Sequence, residues 1–86
     1  DKNADQSLLM SPAAHEDGFI CEYGRTNIRE DFATIVQYMI MQPHSVEVAC
    51  KNYPKLAKKV KAISDAYESL NIDIDIDWNE IDVPIN

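Results

Sequence analysis

Between Pro54 and Leu70 the apolar residues Leu56, Val60, Ile63, Tyr67 and Leu70 recur at alternating four- and three-residue steps. That spacing places all five on one face of a helix and no other regular structure accommodates it. A helix over 54–70 follows, with Pro54 in the first turn, where its missing N–H is not needed. Upstream, Ile28, Phe32, Ile35, Val36 and Met39 repeat the pattern and predict a second helix from Ile28 to Gln42. Asn27 suits its N-cap, Glu30 three residues later completes a capping-box signature, and Pro43 ends it. Val46, Ala49, Cys50 and Tyr53 share a face and predict a shorter helix near Ser45 to Asn52. The two long stripes should meet, burying Phe32, Ile35, Val36, Met39, Leu56, Val60, Ile63 and Tyr67.

The two ends read differently. Residues 1–18 are polar and irregular, with Ser11-Pro12 and Asp17-Gly18 as turn signals, and predict a loop holding at most a helical turn near Ser7 to Met10. Phe19 to Tyr23 is a short strand candidate that stops at Gly24. In the tail, 72–86, Ile72, Ile74, Ile76 and Trp78 alternate with Asp73, Asp75, Asp77 and Asn79, as on a strand with one buried face. A calcium loop would need Gly and Glu where Trp78 and Pro84 stand, so the aspartates read instead as guards against edge pairing. The expected fold is mainly α: a small helical subdomain over 19–71, with a short N-terminal strand and an acidic strand-like tail.

Fifteen acidic against eight basic residues give a net charge of −7. Nucleic acids need a positive footprint, so that class of partner is excluded. Lys55, Lys58, Lys59 and Lys61 fall within one helix and read as a solvated face. No apolar run approaches the roughly 18 residues of a membrane span, and no signal peptide is visible. The opening on Asp1-Lys2-Asn3 suggests a processed or excised product. Cys21 and Cys50 fit no metal-knuckle spacing; a disulfide in an exported protein and two buried thiols both remain open.

Chemistry-bearing groups are densest from Tyr23 to Ala33. A tyrosine at a strand end is followed by a glycine turn, and Glu30 lies in the first turn of an amphipathic helix. The helix dipole keeps such a carboxylate ionised, the state in which it can ligate zinc. The plain structural alternative is that Glu30 closes a capping box and Tyr23 packs.

Tyr23-Gly24-Arg25-Thr26-Asn27, two further residues, then Glu30 with Phe32-Ala33 behind it, resembles the anthrax-lethal-factor-like zinc metallopeptidases, of the gluzincin type. The similarity is traceable from about Phe19 to Leu70 and includes the helix break at Tyr53-Pro54. The stretch also resembles zinc metallohydrolase-like lipoproteins of gut bacteria, which share a Gly-Phe-x-x-x-Tyr run leading to Glu-Asp-Phe-Ala. In such enzymes zinc is held by a His-Glu-x-x-His helix and a glutamate from a later helix. The resemblance therefore implies Glu30 as a Zn2+ ligand and Tyr23 as the catalytic tyrosine. Gly24, Arg25, Asn27, Asp31 and Thr34 would support the motif. It implies a peptide or protein substrate and an exported parent protein.

Two departures stand out. The family pattern often has a second glutamate four residues after the ligand, where this chain has Thr34, a hydroxyl without charge. No His-Glu-x-x-His occurs anywhere, and His15 and His44, without ligand spacing, are expected at the surface. The expectation is an inactive C-terminal fragment whose zinc helix lies in the missing N-terminal part of the domain. The competing expectation is a non-catalytic helical interaction module, which an exposed groove of Met39, Met41 and Tyr38 would favour; apolar residues at that helical spacing read first as core.

Overall fold

The computed structural model describes residues 8–84. Among them are four helices and no strand: α1 (Pro12–Glu16), α2 (Ile28–Met41), α3 (Pro43–Asn52) and α4 (Pro54–Ser69), with a 3-10 turn at Glu22–Arg25 between α1 and α2. The mainly helical architecture is as the periodicity predicts. α3 starts at Pro43 rather than Ser45 because Pro43, like Pro54 in α4, occupies the first helical turn. A residue before proline is pushed out of the helical region. Gln42 (φ −142°, ψ 62°) and Tyr53 (φ −131°, ψ 96°) accordingly break the three helices apart.

Two helices end in the same device. Gly18 (φ 93°) and Asn71 (φ 64°) adopt the left-handed conformation just beyond α1 and α4. Phe19 N–H then reaches back to Ala14 O (2.9 Å) and Ile72 N–H to Tyr67 O (3.0 Å), which satisfies carbonyls a helix end leaves open. α1 itself was not expected. Ser11 caps it, its Oγ accepting from Ala14 N–H at 3.3 Å, so the Ser11-Pro12 turn signal is in fact a helix start. Of the helical turn expected over Ser7 to Met10, Ser7 lies outside the described residues and 8–10 form a turn and a bridge.

The strand expected at Phe19 to Tyr23 is not formed. Cys21 makes one antiparallel bridge, with Met10, and the chain then coils into the 3-10 turn. Among the described residues no neighbouring segment continues the ladder. The described residues of the tail likewise carry no strand. Its alternation holds for burial only from Ile74 on: Ile72 is 44% exposed, whereas Ile76 is buried, Ile74 and Trp78 are partly buried, and Asp73, Asp75 and Asp77 are exposed. Its backbone is satisfied by other means, with Asp77 N–H on Glu47 Oε2 (3.0 Å) and Ile76 N–H on Ile74 O (3.0 Å).

The core unites Ile20 and Cys21, Ile35 and Met39 of α2, Val46 and Cys50 of α3, Leu56 and Val60 of α4, and Ile76 and Ile81 of the tail. Ile63 is partly buried against it, and Val36 and Tyr67 are half-buried. Phe32 departs from expectation at 48% exposed, and Ile28 is 87% exposed. The Tyr23-Gly24 turn lies over Asp31 and Thr34, rotating α2 so that these face inward and Phe32 moves to the rim, tilted against Tyr67 at 6.4 Å. Cys21 and Cys50 are both free thiols in the core, and burial pushes the Cys50 pKa up to about 12.

His15 is buried, not at the surface. Its Nε2–H donates to Ile20 O at 2.9 Å, and its ring meets Tyr53 edge-on at 5.2 Å. Burial lowers its pKa from 6.5, outweighing the opposing effect of the carbonyl bond. A histidine whose folded-state pKa is depressed stabilises the fold fully above its unfolded value, and that stability is lost as pH falls through the folded value. The unfolding free energy should therefore drop below about pH 6.5. Urea titrations from pH 7.5 to 5 should show this drop in the wild type and a shallower one in His15→Gln.

Candidate functional site

The site is assembled where the 3-10 turn meets the start of α2. Asn27 fixes the helix start, its Oδ1 accepting from Glu30 N–H at 3.0 Å. The reciprocal arm of a capping box would bring the Glu30 carboxylate back to Asn27 N–H. Here Glu30 Oε2 instead accepts from Tyr23 O–H at 3.2 Å. Side chains of a helix lean toward its N-terminus, which carries the carboxylate over the preceding turn, and Tyr23 enters that turn from the other side. Glu30 is half-buried and Tyr23 is 37% exposed, so the pair faces solvent. The hydrogen bond to Glu30, its charge, and a little desolvation raise the Tyr23 pKa above 10.0. Tyr23 is a proton donor throughout the neutral range.

Each supporting residue has a place. Arg25 ties the turn to α1: its guanidinium meets Asp17 (2.8 Å), Glu22 (2.7 Å) and Ala13 O (3.1 Å) and lies over the Phe19 ring at 5.4 Å. Gly24 is buried against α2, with Thr34 Oγ1 only 3.4 Å from where a β-carbon would stand. Thr34 does not reach the Glu30 carboxylate. Its hydroxyl bonds the backbone carbonyls of Glu30 (2.8 Å) and Asp31 (3.1 Å), so it braces the helix instead of replacing the missing glutamate. Asp31 points inward, toward Lys59 of α4, whose Nζ lies 2.7 Å from Oδ2.

Lys59 was legible only as part of a solvated lysine face. Its partner is 28 residues away, a separation no helical periodicity reports. The buried role of His15 was equally hidden, whereas Ser11-Pro12 before Ala13 did carry the signal for the helix that holds it. His44 is exposed, 3.6 Å from Glu47 Oε1.

Among the described residues no group of three His, Cys, Asp or Glu side chains could hold a metal ion. A catalytic zinc needs three protein ligands, and this chain's candidate set provides one ionisable oxygen donor, Glu30, next to a phenol. The donor chemistry of Glu30 fits one ligand of such a site. No helix of the described residues is long and apolar enough to cross a membrane. Compared with protein-family models, with curated proteins and with solved structures, the chain matches none.

Of the three residues that a protein-binding groove would need exposed, the core reading holds for Met39 and fails for Met41. Met39 is buried at 1% exposure, while Met41, at 71%, lines a cleft with Leu8, Leu9, Gln37 and Tyr38.

Proposed function

We propose that this chain is the C-terminal part of a zinc-dependent metallopeptidase domain, in which Glu30 is a zinc ligand and Tyr23 the catalytic tyrosine. The observation that supports the reading is the Tyr23 O–H to Glu30 Oε2 contact of 3.2 Å, made in preference to the second arm of a capping box. The other ligands would come from a His-Glu-x-x-His helix in the remainder of the domain. When bound, the zinc would lower the pKa of its water toward neutrality. Glu30 supplies the negative charge that a divalent ion needs, from the positive end of a helix dipole. Tyr23 holds its proton at Oη and would donate it toward the substrate's scissile carbonyl oxygen, or toward the departing amine, as charge develops there. Arg25 and Asn27 keep the turn and the helix start in register. The substrate is a peptide or protein, and the parent protein is exported.

A second reading, a non-catalytic helical interaction module, is favoured by the exposure of Met41 (71%) and Leu9 (60%) at one cleft. Zinc content separates the two. Elemental analysis after dialysis should find no retained zinc on this chain alone, and one equivalent on the polypeptide that joins it to a His-Glu-x-x-His helix, which should also cleave peptides. Stoichiometric zinc on this chain alone would contradict the split site. An encoding polypeptide without any such helix would leave the interaction module standing.

A further inference from the structure

Asp31 is a carboxylate on which two buried features converge. Its side chain is only 14% exposed, and its Oδ1 is fully buried with no hydrogen-bond partner. A buried charge of this kind is costly unless an opposite charge compensates it. The compensation comes from Lys59 of α4, whose ammonium lies 2.7 Å from Oδ2 and 4.2 Å from the centre of the Phe19 ring. One cation thus joins α4, the first turn of α2 and the segment leading into the Tyr23 turn. On its other side Asp31 forms the floor under that turn. Its Cα and Oδ1 are each 3.5 Å from where a β-carbon of Gly24 would stand.

The connectivity gives this packing its consequence. Asp31 is covalently next to Glu30, and Gly24 is next to Tyr23. Fixing Asp31 against Gly24 therefore constrains, one residue along the chain from each, the two residues whose side chains meet at 3.2 Å. We propose that Lys59, acting through Asp31, is a positioning residue that sets the Tyr23–Glu30 pair. Its importance for catalysis rests on the metallopeptidase reading, while the positioning itself does not.

The test therefore needs neither zinc nor substrate. In this chain, the nuclear Overhauser contacts between the Tyr23 ring and the Glu30 methylenes report the pair directly, below the melting temperature. Lys59→Met should abolish them while the core methyl contacts of Leu56 and Val60 persist. Lys59→Arg should retain them. Lys61→Met, which removes another α4 lysine ion-paired to Asp65 (2.9 Å), should leave them unchanged. Should Lys59→Met fail to fold, Asp31→Asn preserves the volume, removes the buried charge, and should give the same loss. A purely stabilising role would lower the melting temperature without altering these contacts. Tyr23–Glu30 contacts at wild-type strength in folded Lys59→Met or Asp31→Asn would overturn the proposal. Absence of peptidase activity in the complete domain would instead count against the metallopeptidase reading alone.

Discussion

Tyr23→Phe in the complete domain should slow turnover on the order of 10²-fold or more, with zinc content and substrate KM nearly unchanged. The substitution removes one oxygen and leaves the ring, and Tyr23 stands at the surface of a turn held by other groups. Arg25 with its three polar partners and the buried Gly24 keep that turn in place, so the fold should tolerate the change. What is lost is an O–H donor, protonated at neutral pH like any tyrosine, whose hydrogen bond to Glu30 raises its pKa further. A donor that acts only as charge develops affects kcat and not ground-state binding. Steady-state kinetics on the zinc-loaded variant checks this. An unchanged kcat would remove Tyr23 from the chemistry.

The second large effect is on stability. Leu56→Ala should destabilise the chain by about 2–5 kcal/mol, the usual range for truncating a fully buried leucine. Leu56 is 0% exposed at the centre of the cluster that joins three helices and the tail. In a domain of this size the total stability is about 5–15 kcal/mol, so the loss is a large fraction of it. Phe32→Ala makes the informative contrast. Periodicity alone places Phe32 in the core, and truncation there would cost about 3–5 kcal/mol. At 48% exposure, with Tyr67 as a tilted neighbour, it should cost clearly less than Leu56→Ala. Urea unfolding of both variants ranks them, and a larger loss for Phe32→Ala would contradict the burial described here.

What the sequence made legible follows from the range of each signal. α2, α3 and α4 are long enough for apolar spacing to show, and Asn27, Pro43 and Pro54 mark their limits. α1 has five residues, less than two turns, and shows no period. Phe19 to Tyr23 has the aromatic and branched residues of a strand, but a strand also needs a partner, and among the described residues only Met10 pairs with it. From Ile74 on, the tail shows its in-and-out burial without a ladder for the same reason. At the site, the approach of Tyr23 to Glu30 was legible because both lie within seven residues across one turn. The Asp31–Lys59 bridge and the burial of His15 were not, since they depend on how separate helices pack. Thr34 illustrates a finer limit: its hydroxyl chose the backbone one turn back over the neighbouring carboxylate, a local competition that residue type alone does not settle.

The central claim is that Glu30 is a zinc ligand, and the most direct test is the zinc affinity of the complete domain with Glu30→Gln. The amide keeps the size of the side chain and can still accept from Tyr23, but it is neutral and a poor ligand for zinc. Competition titration against a chromophoric chelator should show one tightly bound zinc in the wild type and markedly weaker binding in Glu30→Gln, with helical content unchanged by circular dichroism. Wild-type zinc affinity in a folded Glu30→Gln domain would contradict the account.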